Sequence, residues 1–200
     1  TLAVDDKGQA LYMNASVVPY VDAAKLAACS DPRTGLEMIL LDGSRSACAW
    51  TIDPSAAQAG IYPASKLPHM RRNDYVQHAN DSAWMANPAA PQTGFSPLIS
   101  QDSQPLGLRA RFALQRLGQP GRLSVEDLQG MVMDNQVYLA GQVMPDLLKV
   151  CEGASAADKA TLTQVCTSLK AWDQQANLNS GIGLVHFQNI MLPLLEVENV

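Results

Sequence analysis

Seven of the twelve prolines fall between Thr51 and Pro105: Pro54, Pro63, Pro68, Pro88, Pro91, Pro97 and Pro105. Each removes a backbone donor and clashes with the turn before it, so regular helix is not expected across this stretch. Pro19 and Pro32 lie just ahead of it. A long irregular segment inside a compact protein carries function more often than a regular element does. The search for chemistry therefore starts here.

On either side the texture is regular. Thr1 to Asp5 and Gln9 to Val17 are apolar-rich runs joined by Asp6-Lys7-Gly8, a hairpin signal. Tyr20 to Ala28 favours a short helix ending near Cys29, and Met38 to Leu41 reads as a buried strand or a turn-bounded segment stopped by Asp42-Gly43. After Leu106 the spacing turns helical, with Leu108, Phe112 and Leu117 on one face and Arg109, Arg111 and Arg116 interleaved. Gln119-Pro120-Gly121 breaks it. Ser124 with Asp127 forms a capping-box variant that opens a new helix. Leu128, Met131, Val132, Leu139 and Val143 are expected to continue one face, with a kink or restart at Pro145. Ser155 and Asp158 repeat the cap ahead of a helix to about Trp172, with Leu162, Val165, Cys166 and Leu169 as its buried stripe. A last helix is expected over Ile182 to Leu192. The expected class is α+β, with strands in the first half and a mostly helical second half.

Charge narrows the function. The chain has 200 residues, 14 Lys+Arg against 19 Asp+Glu, and net charge −5. No basic stripe is available to neutralise phosphates or to hold an anionic lipid surface, so nucleic acid and membrane are not expected partners. The longest apolar candidate, Gly181 to Leu195, is broken by His186, Gln188, Asn189 and Pro193 and falls short of a membrane span. The opening at Thr1, already apolar and strand-like, with no Met and no signal peptide, suggests a processed chain or a piece of a longer one.

Four cysteines, Cys29, Cys48, Cys151 and Cys166, lack any C-x-x-C, and the three histidines (His69, His78, His186) are scattered, so no metal site is expected. The spacings of 19 and 15 residues suggest two local bridges, Cys29–Cys48 and Cys151–Cys166, and with them an oxidising compartment. Other connectivities, and four free thiols, remain alternatives at this point.

The densest cluster of chemistry runs from Asp74 to Trp84, D-Y-V-Q-H-A-N-D-S-A-W. Asn80 is a neutral amide whose NH2 donates without carrying charge, which suits a site where negative charge appears only in the transition state. Against that stands a simple Asx turn at Asn80-Asp81. His78 and Ser82 invite a Ser/His reading, but no nucleophile-elbow motif accompanies them. Thr1 could serve as an N-terminal nucleophile with its own amine as base, though it opens a strand. Asp42-Gly43-Ser44-Arg45-Ser46 is a tight turn that either binds an anion through its backbone N–H groups or is structural, with Arg45 pairing a carboxylate. On a helix Arg109 and Arg111 point about 200° apart, so only one of them can face a polar site.

Taken together, L-D-G-S-R-S-A-C-A-W (41–50), G-I-Y-P-A-S-K-L-P (60–68), D-Y-V-Q-H-A-N-D-S-A-W-M-A-N-P (74–88) and P-Q-T-G-F-S-P-L (91–98) resemble the β-chain of the penicillin acylase superfamily. Within it they resemble the branch of acyl-homoserine-lactone acylases and the aculeacin A acylase. The segments 108–117 and 126–138 fit the same branch, and the resemblance spans about residues 1 to 190. His78 stands where the family usually has Asn or Ser.

The resemblance implies an N-terminal nucleophile (Ntn) hydrolase made as a secreted, self-cleaving precursor. Such enzymes have a four-layer αββα sandwich and use no cofactor or metal. A Ser at the start of the β-chain attacks a linear amide, with its own amine as base, through an acyl-enzyme. Asn80 would be an oxyanion donor and an Arg downstream would support the site, with Arg111 the better match over Arg109. Trp84, Met85 and Phe95 would line an acyl pocket. The match places Thr1 inside the β-chain, so residues 1–200 would be an internal piece with a strand and loop part (1–105) and a helical part (106–200). Strands would lie near Thr1 to Val17 and 71–79. The nucleophile would lie elsewhere, leaving the piece inactive alone. Its partners would be the remainder of the β-chain, the α-chain and a small-molecule acyl amide, in the periplasm or outside the cell. The alternative is a non-catalytic scaffold or binding module derived from the same fold.

Overall fold

A computed structural model describes residues 1–31 and 39–197. Pro32 and Met38 of the expected segments lie outside the described residues. The chain forms two compact units, Thr1–Leu117 and Gly118–Val200. The change of texture at residue 105/106 thus precedes the boundary between units by one helix.

The first unit is built on a three-stranded antiparallel sheet in the order β1 (Leu2–Val4), β2 (Ala10–Met13), β3 (His69–Arg72). The hairpin between β1 and β2 closes because Asp5 Oδ1 accepts the Lys7 and Gln9 amides, while Gly8 takes φ 78°, which side chains resist. Tyr12 and Met70 face each other across β2 and β3 and pack with Ala83 and Ala86 into a small core. That core seats the 74–88 loop on the sheet. Chain 18–21 then runs beside 60–62, where Tyr20 N donates to Gly60 O, Tyr62 N to Val18 O, and the Tyr62 hydroxyl to Val21 O.

Helix α1 (Ala23–Cys29) starts where Asp22 accepts the Lys25 amide at 2.9 Å. Its end is bridged to the 3-10 turn Ser46–Cys48 by Cys29–Cys48. Arg45 pairs with Asp42 at 3.3 Å and donates to Ala28 O, so this turn uses its cation internally. Helix α2 (Leu108–Leu117) completes the unit.

In two places the first unit differs from the sequence expectation. The strand expected over 71–79 ends at Arg72, because Arg72 turns back onto Asp74 and the Gln77 amide goes to Ala86 O instead of a ladder partner. Among the described residues, the run ending at Leu41 makes an isolated bridge with Ser30 instead of a strand, and its Leu40 is exposed instead of buried.

The second unit holds α3 (Val125–Met133), α4 (Tyr138–Gly153), α5 (Ala156–Ala171) and α6 (Ile182–Val197). Ser124 and Asp127 form the reciprocal capping box, and Ser155 accepts the Asp158 amide. The single face expected from Leu128 to Val143 is instead split between α3 and α4. Asn135 takes φ 50° there, and Val137 N and Ala176 N tie that break to 174–176 through Gln174 O and Asn135 O. Pro145 lies inside a continuous α4, so the helix does not restart there. Helix α6 also runs past its expected end at Leu192, through Pro193. Ala140, Met144, Leu169, Trp172 and Phe187 form the core, and Cys151–Cys166 staples α4 to α5. Among the described residues no helix is long and apolar enough to cross a membrane.

Candidate functional site

The 74–88 loop is fixed by side chains that reach its own backbone. Asp74 takes a two-pronged bond from Arg72 at 2.8 and 2.7 Å and also accepts the Tyr75 amide. The Arg72 guanidinium holds its carboxyl well below the usual carboxylate range, against a smaller opposing push from partial burial. Buried Asn87 donates to Tyr75 O at 2.7 Å and to Asp74, closing the loop's base. Ser82 donates to Gln101 O and meets Ser100 Oγ at 2.8 Å, while Ala83 N donates to that same Ser100 oxygen. These bonds tie the motif to the 96–101 segment.

Asn80 sits at the loop's tip with φ 64°, the left-handed region that Asn tolerates better than other side chains. The Asx-type bond at this corner comes from Asp81, whose Oδ1 accepts the Ala79 amide at 2.8 Å. The Asn80 amide N–H itself points to His78 Nδ1 at 3.3 Å. The Asn80 side chain is therefore not consumed by its own turn. Its Oδ1 accepts from Arg109 of α2 at 3.0 Å, and the same Nη2 donates to Ala79 O at 2.7 Å.

A guanidinium has donors and no acceptor, so it fixes which end of the amide faces it. The oxygen faces Arg109, and the NH2 faces away. Asn80 is exposed, and its NH2 makes no hydrogen bond among the described residues. The result is a neutral donor with its orientation set and its hydrogens unspent. Beside it, Asp81 and Ser82 help line a cavity of about 400 Å³ with Trp84, Ile99, Pro105 and Leu106 among its walls.

The other expected site residues fall as follows. Arg111 points elsewhere, its Nε donating to Leu106 O at 2.7 Å, so the arginine that reaches Asn80 is Arg109. Trp84 lines the cavity, whereas Met85 and Phe95 are half-buried and not part of its wall. His78 stacks obliquely on Tyr12 at 5.8 Å, and Ser82 is engaged with Ser100 and Gln101, so the two form no Ser/His pair. The Thr1 amine donates to Met13 O at 2.8 Å, within the strand pairing. Among the described residues no three His, Cys, Asp or Glu side chains converge as metal ligands would.

Two residues that matter here carried weak signals or none. The choice between Arg109 and Arg111 depends on the rotation of α2, which a two-residue spacing leaves open. Gln77 is 3% exposed, and its amide reaches both Met85 O and Asp81. An amide inside an otherwise short loop was its only mark.

The family model for penicillin amidase matches residues 1–198. The chain belongs to the penicillin amidase family. It is 69% identical, over its full length, to an acyl-homoserine lactone acylase PvdQ from Pseudomonas savastanoi pv. phaseolicola, and it covers 26% of that protein. It is 58% identical to the PvdQ of Pseudomonas putida over 98% of its length, covering 25% of that protein. To the aculeacin-A acylase of Actinoplanes utahensis it is 38% identical over 90% of its length, again covering 25%. The chain thus spans about a quarter of the length of these relatives, and the expected family and branch hold.

Proposed function

We propose that this chain is the part of an N-acyl amide hydrolase that supplies the side-chain oxyanion donor, Asn80. The observation that carries the reading is the Arg109–Asn80 bond, which turns the amide NH2 outward as an oriented, neutral donor. A nucleophilic serine with its free amine as base, borne by the remainder of the β-chain, attacks the carbonyl carbon of a linear amide. The new C–O bond pushes the carbonyl electron pair onto oxygen, and the Asn80 Nδ2–H groups meet that charge as it forms. Collapse expels the amine, which takes the serine proton by way of the base, and leaves an acyl-enzyme for water to hydrolyse.

The substrates in this reading are acyl-homoserine lactones, acylated lipopeptides or penicillin-type amides; the first is in keeping with the name of the PvdQ relatives and the last with that of the family. Trp84 would contribute apolar wall beside the reacting carbonyl. The three-stranded sheet would belong to the αββα sandwich, completed by the rest of the β-chain and by the α-chain, and the piece alone would be inactive. Two bridged cysteine pairs favour a periplasmic or secreted setting.

The test is Asn80→Ala in the full-length enzyme. The acylation rate should fall by about 10²–10³ with little loss of folding. A rate near that of the wild type would reject the assignment.

A further inference from the structure

We propose that Gln77 is a positioning residue for Asn80, acting through Asp81; this rests on the oxyanion reading of Asn80. Gln77 is the third residue before Asn80 and lies buried, at 3% exposure. Its backbone N–H donates to Ala86 O at 2.9 Å, which anchors it in the body of the loop. Its side-chain Nε2 donates to Met85 O at 2.9 Å and to Asp81 Oδ2 at 3.3 Å. Both partners only accept, so the amide's orientation is fixed. The cost of that orientation is visible on the other side: Gln77 Oε1 is, among the described residues, the one buried side-chain polar atom without a hydrogen-bond partner. A purely space-filling position would hold an apolar residue of the same size with no such orphan.

What the amide secures is Asp81. With Oδ2 held by Gln77, Oδ1 accepts the Ala79 N–H at 2.8 Å. The Ala79 carbonyl is taken at the same time by Arg109. The segment entering Asn80 is therefore held through both its N–H and its C=O. One of the two holds runs through Asp81 to buried Gln77, and the other through Arg109. A left-handed corner at Asn80 with φ 64° needs such over-determination to persist as a single conformation.

The experiment is a double-mutant cycle in the full-length enzyme. Gln77→Met keeps the bulk and removes the donor. It should lower kcat about tenfold with KM changed by less than about twofold. In an Asn80→Ala background the same substitution should have no further effect on kcat, because the group it positions is gone. An equal loss in both backgrounds means a general structural role and overturns the proposal, as does a wild-type kcat for Gln77→Met when Asn80→Ala is strongly impaired. A near-normal Asn80→Ala enzyme removes the oxyanion reading itself and the positioning role with it, a result distinct from the other two. Should Gln77→Met not fold, Asp81→Ala carries the same cycle: it must lower kcat at least as much, and only when Asn80 is present.

Discussion

The contact between Arg109 and Asn80 sets a magnitude that can be worked out. Arg109→Met keeps the length of the stem but removes the donors to Ala79 O at 2.7 Å and Asn80 Oδ1 at 3.0 Å. Both side chains are exposed, so these bonds contribute little to global stability, on the order of 1 kcal/mol or less. The rate should respond more. Without the guanidinium the Asn80 amide samples about three χ1 wells and about two χ2 orientations, roughly six states in place of one. A competent fraction of about one-sixth lowers kcat about sixfold, close to 1 kcal/mol of transition-state stabilisation. Loosening of Ala79 adds to that, so the expected loss is about 5- to 20-fold in kcat, well short of the loss for Asn80→Ala. Arg111→Met, which among the described residues gives up the bond to Leu106 O, should stay within about twofold of the wild type. The assay is steady-state hydrolysis of a chromogenic acyl amide by the full-length enzyme, with thermal melting alongside. Wild-type kcat for Arg109→Met, or a larger loss for Arg111→Met, would refute the orientation argument.

Two further outcomes follow from the geometry. Asp74 has a folded-state pKa depressed mainly by Arg72, so its contribution to stability is complete above the ordinary value of about 3.9 and is lost as pH falls below it. The stability gap between wild type and Asp74→Asn, measured by thermal unfolding, should be constant above about pH 5 and shrink on acidification below about pH 4; a gap that widens in acid contradicts the sign. Gly183→Ala in α6 would drive a Cβ into the Trp172 side chain and to 2.8 Å from the Ser168 carbonyl oxygen, and should cost about 1–3 kcal/mol by denaturant titration. Gly130→Ala in α3, where the added Cβ meets nothing within 4 Å, should instead stabilise by about 0.5–1 kcal/mol. Equal effects at the two glycines would count against the packing argument.

Local chemistry was legible and distant chemistry was not. The caps at Ser124 and Ser155 are sequence signals because donor and acceptor lie three residues apart. The hairpin at Asp5 to Gly8 was legible for the same reason, as were the two cysteine pairs, whose partners are near neighbours along the chain. The strand expected over 71–79 failed because the residues that end it are answered from outside the window: Gln77 N by Ala86 O, and Asn87 reaching back to Tyr75 O. The break between α3 and α4 was invisible because Asn135 and Val137 bond to residues about 40 positions on, at 174–177. At the candidate site Asn80 could be singled out by residue type and resemblance. The arginine that orients it could not, since that depends on how α2 lies against the loop 29 residues away in sequence.

The pairing of a neutral amide with a cation behind it has a physical logic in the proposed reaction. An arginine placed directly at the oxyanion would also grip the carboxylate product through a two-pronged charged bond. That would hold the bound product tightly and make its release the slow step. Set one residue back, Arg109 spends its donors on the carbonyl oxygens of Ala79 and Asn80. Withdrawing density from Oδ1 polarises the amide, so Nδ2–H becomes a stronger donor while remaining formally neutral. In the proposed reaction the cation would thus reach the reacting oxygen through the amide, at the point where that oxygen becomes negative.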